Sequence, residues 1–129
     1  MTATGPTRVL IVEDDYIVAT ELEAGLVDAG FDVVGIAPSA TAAVSLGKSE
    51  RPDVAIMDVR LRGPRDGVEA ALELYRASGL RCIFATAHQE AALRARAEPA
   101  RPFGWLAKPY QIDAVVSLIR RAVGVEAAD

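Results

Sequence analysis

The sequence predicts an α/β domain with a mostly parallel five-stranded sheet and five helices, and three observations predict it. Five short apolar or β-branched runs alternate with five stretches whose apolar residues recur at three- and four-residue steps. The connections between them are short and rich in Gly, Pro, Asp and Ser. The third run, Val54-Ala55-Ile56-Met57, is apolar throughout before it stops at Asp58. A strand with both faces covered by helices needs that pattern, whereas a half-solvated strand would alternate.

In order along the chain, Arg8–Val12 is the first strand and Glu13-Asp14-Asp15 ends it. Val18, Leu22, Gly25, Leu26 and Ala29 form a helical stripe that Gly30 closes. Asp32–Ala37 is the second strand. Ser39 is the candidate cap of a small-residue helix with Ala40, Ala43, Val44 and Gly47 on one face. After the Asp58 strand and the loop Gly63-Pro64-Arg65-Asp66-Gly67, a third helix carries Val68, Ala71, Leu72 and Tyr75 up to Ser78-Gly79. Cys82–Ala85 is the fourth strand and runs into Thr86-Ala87-His88. The stretch 89–97 is a helix with a thin stripe of Ala92, Leu93 and Ala95, the most weakly anchored in the chain, which Pro99 and Pro102 end. Phe103–Ala107 is the fifth strand, stopped by Lys108-Pro109, and Ile112, Val115, Val116, Ile119 and Val123 give the last helix its apolar face. Right-handed crossovers and two-sided coverage then favour a flavodoxin-like doubly wound sheet, strand order 2-1-3-4-5.

At 129 residues the chain reads as one domain over 8–124, with a flexible tail at 1–7 and a short C-terminal tail at 125–129. A net charge of −4 argues against direct nucleic-acid binding through phosphates. No apolar stretch approaches the ~20 residues of a membrane span, and the first residues lack the basic lead and apolar core of a signal peptide. A single cysteine, Cys82, sits in an apolar run; a packed thiol in a reducing cytoplasm is the expectation.

In a parallel sheet all carboxyl ends face one side. The residues delivered there are Glu13 and Asp14 after the first strand, Asp58 after the third, Thr86 after the fourth and Lys108 after the fifth. Singly each has a plain reading: the acids as a helix start, Thr86 as a turn residue, Lys108 as a solvated turn charge. Together they form a constellation. Three ionised carboxylates repel, and a hard divalent cation such as Mg²⁺ relieves them. Lys108 adds a point charge for an anion and Thr86 a hydroxyl, a set suited to a phosphoryl group on Asp58, since carboxylates attack phosphorus to give acyl phosphates.

With these anchors in place, the chain from about Arg8 to Val123 resembles a response-regulator receiver domain of two-component signalling, the CheY-like fold. The family's acidic pair falls on Glu13 and Asp14, its phosphoacceptor on Asp58, its hydroxyl on Thr86 and its Lys-Pro on Lys108-Pro109. The resemblance implies that Asp14 and Asp58 bind Mg²⁺ (Mn²⁺ as an alternative) directly, Glu13 through water, and that the Arg60 backbone carbonyl adds a ligand. It implies a histidine kinase or histidine phosphotransfer protein as donor and Thr86 with Trp105 as the switch pair. A downstream protein is the implied target of a basic face carrying Arg94, Arg96 and Arg101. The expectation is a stand-alone cytoplasmic switch, monomeric or dimerising on phosphorylation, and not an enzyme beyond slow autodephosphorylation.

The sequence departs from the family pattern in three places. Where a proline usually stands four residues past the acceptor there is Arg62, and Asp66-Gly67 arrives one residue late. The switch aromatic is Trp105 rather than Tyr or Phe. Arg60 and His88, two residues past Asp58 and Thr86, hold positions that resemble those tuning phosphoryl lifetime; they are expected to flank the path of the attacking water. The rival class is a small Asp-nucleophile, Mg-dependent phosphatase of haloacid-dehalogenase type, which needs a second acid where Arg60 stands. A flavin- or nucleotide-binding module would need a Gly- or Ser/Thr-rich loop where Glu-Asp-Asp stands.

Overall fold

The computed structural model describes the backbone of residues 5–128 and side chains through Gly124. Its elements are β1 (Arg8–Val12), α1 (Tyr16–Asp28), β2 (Asp32–Ala37), α2 (Ala40–Glu50), β3 (Val54–Asp58) and α3 (Gly67–Ser78). There follow β4 (Cys82–Thr86), α4 (Ala91–Ala97), a 3₁₀ turn (Glu98–Ala100), β5 (Gly104–Ala107) and α5 (Ile112–Ala128). Residues 1–4 of the expected N-terminal tail and residue 129 of the expected C-terminal one lie outside the described residues, and α5 is bounded at Ala128.

All strand pairs are parallel and the order is β2-β1-β3-β4-β5, as the alternation of runs and stripes required. The strand period of two splits the core in two. Leu10, Val12, Ala55, Met57, Cys82 and Phe84 face α2 and α3, with Ala97 and Ala100 joining at that side. Val9, Ile11, Val54, Ile56, Ile83, Ala85 and Leu106 face α1 and α5, where Leu22, Leu26, Val115 and Ile119 cover them. Each such Leu, Ile or Phe contributes roughly 1.5–3 kcal/mol of burial, so the sheet is a rigid base for whatever its edge carries. Cys82 is buried, and loss of hydration pushes its thiol up to about 12. It is the packed thiol expected.

The helix starts are set by short polar side chains accepting from exposed backbone N–H groups. Asp15 caps α1 by accepting from Ile17 and Val18 N–H, and Ser39 caps α2 through Ala42 N–H. Of the acidic trio, therefore, only the third member serves the helix. Asp66 begins α3 with a reciprocal capping box: its side chain accepts from Glu69 N–H while the Glu69 side chain accepts from Asp66 N–H. The late Asp-Gly is thus a helix start, and the extra residue is taken up in the turn before it, where Gly63 adopts φ +104°.

Three boundaries differ from expectation. The fourth helix begins at Ala91, not residue 89, because the Glu90 backbone is extended (ψ 150°) and stands as the N-cap, where it makes no side-chain cap. Its anchors are Ala97, buried, and Leu93, half-buried, four residues apart, while Ala92 and Ala95 are exposed. Pro99 does not end the segment; it sits in the first turn of a 3₁₀ turn, where no N–H is needed. In α3 the buried stripe includes Leu74, with Leu72 and Tyr75 only half-buried, and β5 begins at Gly104 rather than Phe103.

The close approach of α3 to the end of β3 rests on Gly67. A Cβ there would stand 2.0 Å from the Asp58 carbonyl oxygen and 3.0 Å from Met57 Cγ, while Gly67 N–H donates to Val59 O at 2.9 Å. Backbone cannot yield as a flexible side chain can. Gly67→Ala is expected to cost about 3 kcal/mol or more in urea unfolding. Gly124→Ala, in α5 with nothing within 4 Å of its would-be Cβ, is expected to gain about 0.5–1 kcal/mol. Equal effects at the two sites would contradict this packing.

Candidate functional site

The sheet order reverses at β1, so the crevice between the carboxyl ends of β1 and β3 is the switch point where doubly wound folds bind ligands. Glu13 leaves β1 with its N–H on Ala37 O at 3.0 Å, continuing the ladder to β2. Asp58 is the last residue of β3, in register with Ala85 of β4. Lys108 follows β5 with its N–H on Thr86 O at 2.9 Å. Each functional side chain therefore begins from a strand end fixed by its neighbour.

The residues that the sequence assigned to one edge do meet there. Carboxylate oxygens of Glu13, Asp14 and Asp58 lie within 4.8 Å of one another. Glu13 and Asp58 are only 5% and 6% exposed, which is costly for acids without partners. Lys108 Nζ stands 3.1 Å from Asp58 Oδ2 and 3.2 Å from Glu13 Oε1. The second Asp58 oxygen accepts from Arg60 N–H at 3.3 Å, and the second Glu13 oxygen from Asp15 N–H at 3.0 Å. Burial pushes the Glu13 carboxyl above its ordinary pKa, with the Asp58 charge adding to the effect and Lys108 opposing it. Burial alone would lower the Lys108 ammonium, but the charges of Asp58 and Glu13 outweigh it and raise the pKa. The lysine is a fixed cation at neutral pH.

A cavity of about 380 Å³ opens over this cluster, lined by the three acids, Arg60, Thr86, His88 and Lys108 among others. Three carboxylates form an all-oxygen donor set, which suits a hard divalent cation. Thr86 is buried, and its hydroxyl accepts from His88 N–H at 3.3 Å within its own turn. The side chains of Arg60 and His88 are exposed on the rim. Trp105 does not touch the acids. It is half-buried between Phe84, ring centroids 4.9 Å apart, and the Arg94 guanidinium of α4, 5.1 Å from its ring.

Two contacts were not foreseen from the sequence. Arg62, where the family's proline usually stands, donates its N–H to Asp14 Oδ2 at 3.2 Å and holds its Nε 3.6 Å from the same oxygen. Arg96 of α4 clamps the α3 cap, with Nη1 2.7 Å from Asp66 Oδ2 and Nη2 2.9 Å from Asp66 Oδ1. Of the arginines expected as a basic face, Arg94 and Arg96 therefore already have partners within the chain. The only signal in sequence was the lengthened loop, which places Arg62 and Asp66 but not their partners.

The raised pKa of Glu13 makes its ionised form a net burden on the fold. Since the folded value lies above the unfolded one, this group favours folding below pH 4.5 and loses that contribution as pH rises through its folded value. Glu13→Gln is accordingly expected to raise the urea midpoint at pH 7, with the gain fading as pH falls toward 4.5. A gain that persists unchanged in acid would contradict this electrostatic account.

Comparison with known proteins agrees with the geometry. The family model of the response regulator receiver domain matches residues 9–120. The transcriptional regulatory protein PdtaR of Mycobacterium tuberculosis is 35% identical over 118 residues, covering 92% of this chain and 57% of PdtaR. The phyllosphere-induced regulator PhyR of Methylorubrum extorquens is 34% identical, covering 91% of this chain and 43% of PhyR. The chain thus spans about half the length of these curated relatives. Among solved structures, the signal receiver domain of a modulated diguanylate cyclase from Desulfovibrio desulfuricans superposes with a TM-score of 0.87 at 36% identity, covering 95% and 98% of the two chains. A CheY-like receiver domain from Methanospirillum hungatei, at 19% identity, shares the fold with a TM-score of 0.88 over 96% and 98%. Among the described residues no helix is long and apolar enough to cross a membrane. Site, fold and kinship coincide: the chain belongs to the response regulator receiver domain family of two-component signalling.

Proposed function

We propose that this chain is a phosphorylation-controlled switch whose acceptor is Asp58. The observation that carries the reading is the pairing of a buried acid with a fixed cation: Asp58 Oδ2 lies 3.1 Å from Lys108 Nζ, with two further carboxylates within 4.8 Å. The donor is a phosphohistidine on a histidine kinase or phosphotransfer protein. An Asp58 carboxylate oxygen attacks phosphorus, the phosphorus–nitrogen bond breaks, and its electron pair returns to the imidazole. Lys108, already at the acceptor, is placed to meet the charge of the arriving phosphoryl group, and Arg60 N–H orients the carboxylate. Thr86 supplies a hydroxyl from the adjoining strand end. Glu13, Asp14, Asp58 and the Arg60 carbonyl would hold Mg²⁺, or Mn²⁺ in its place, which when bound neutralises charge on the phosphoryl oxygens.

Phosphorylation then biases a two-state equilibrium in which Thr86 and Trp105 report the state of Asp58 to α4 and β5. Output is a contact with a downstream protein in the cytoplasm, made by the chain as a monomer or a phosphorylation-dependent dimer. Arg60 and His88, on the cavity rim, set how fast water reaches the acyl phosphate. The phosphatase alternative is disfavoured because the position two residues past Asp58 carries an exposed arginine rather than an acid.

Incubation with acetyl phosphate and Mg²⁺ is expected to give one phosphoryl adduct by intact mass, absent in Asp58→Asn. Steady turnover of a small phosphoester with no adduct would overturn the reading. For the rim, Arg60→Ala and His88→Ala are each expected to change the autodephosphorylation rate by more than about twofold, the scale of a few tenths of a kcal/mol in a barrier. Rates inside that range would remove both residues from lifetime control.

A further inference from the structure

We infer that Arg62 is a built-in counter-ion of Asp14 that a divalent cation must displace to occupy the site, so that this loop residue sets metal affinity. The inference rests on the reading of Glu13, Asp14 and Asp58 as metal ligands. Each of the three acids has its own neutralising contacts. Lys108 serves Glu13 and Asp58 together, and neighbouring N–H groups serve their second oxygens. Asp14 is different: Lys108 makes no contact with it, and its Oδ2 is met twice by Arg62, through the backbone N–H at 3.2 Å and the guanidinium Nε at 3.6 Å. A proline at this place, as the family usually has, would offer neither group, because it lacks both the N–H and the charge.

The two arms act differently when a cation arrives. The N–H contact fixes the direction of the carboxylate and can persist, since a carboxylate oxygen has more than one lone pair. The guanidinium is a like charge beside the incoming ion and must swing away. Its side chain is 87% exposed, so it can leave without breaking any packing, and its hold on Asp14 is that of a surface ion pair. Such pairs are worth about 0.2–1 kcal/mol, which corresponds to a change of roughly 1.4- to 5-fold in metal affinity. Arg62 therefore keeps Asp14 neutralised and aimed in the metal-free state while weakening the cation's hold by a small factor.

The test is Mg²⁺ binding by calorimetry to the unphosphorylated chain, with free Mn²⁺ counted by electron paramagnetic resonance as a second readout. Neither depends on phosphoryl transfer. At about 0.1 M salt, Arg62→Ala is expected to bind Mg²⁺ roughly 1.4- to fivefold more tightly than wild type, and Arg62→Lys, which keeps the charge, is expected to stay nearer wild type. At about 1 M salt, where the screening length falls to roughly 3 Å, the Arg62→Ala gain is expected to shrink. An Arg62→Ala affinity equal to or weaker than wild type overturns the inference, as does a gain untouched by salt, which would mark a loop rearrangement instead of a charge effect. Asp14→Asn separates this from the parent reading. If it binds Mg²⁺ as well as wild type, the metal does not use Asp14, and the site assignment fails together with the role of Arg62.

Discussion

The contact on which the rest of the structure depends is the reach of Lys108 across the end of the sheet. Parallel pairing puts every strand's carboxyl end on one side, and adjacent strands lie only about 4.8 Å apart. Glu13 after β1 and Asp58 at the end of β3 therefore cannot avoid each other once both are buried. The cation that reconciles them comes from β5, with β4 lying between it and β3. Lys108 must cross the carboxyl end of β4 to place Nζ within 3.2 Å of both acids. The residues at that crossing, Thr86 and Ala87, are small. Small side chains there are thus a condition of the charge balance, and also leave the cavity above the acids open. The same geometry that stabilises the cluster leaves Asp58 accessible to a ligand arriving from outside the sheet.

What was legible in the sequence follows from which forces write themselves into local pattern. The strands are short runs of β-branched and apolar residues because both faces are covered, so all five were bounded to within a residue and the sheet order followed from right-handed crossovers. The α2 face of Ala40, Ala43, Val44 and Gly47 was read whole because a 3.6-residue period leaves few other ways to pack small residues. Glu13, Asp14, Asp58, Thr86 and Lys108 could be gathered because parallel topology turns order in the sequence into position at one edge. Side-chain reach is not written that way. Arg62 lies 48 residues from Asp14 and Arg96 lies 30 from Asp66, and no periodicity marks an exposed arginine as the partner of a distant acid. The start of α4 was misplaced because Gln89 and Glu90 are good helix formers by type, yet the Glu90 backbone is extended and serves as the N-cap of a helix that begins at Ala91.

The consequence for switching lies in how α4 is attached. It fully buries only Ala97 and half-buries Leu93, and its other contacts are made by charged side chains: Arg94 to Gln89 and over the Trp105 ring, Arg96 to Asp66 and, at 3.8 Å, to Glu69. The Asp66 carboxyl is nonetheless kept below its ordinary pKa, because the Arg96 and Glu69 N–H contacts overcome the opposing effect of burial. Contacts of this kind are worth about 0–1 kcal/mol each at a surface, far less than the buried strands beneath. Their two ends matter more than their strength. Asp66 begins the helix that Gly67 presses against the Asp58 carbonyl, and Trp105 sits on the strand that delivers Lys108. The helix least secured by burial is thus tied at one end to the backbone behind Asp58 and at the other to the strand behind its counter-ion. On the proposed reading of Asp58 as the phosphoacceptor, the added charge arises beside both ties, and α4 is the helix with the least buried surface to hold it in place.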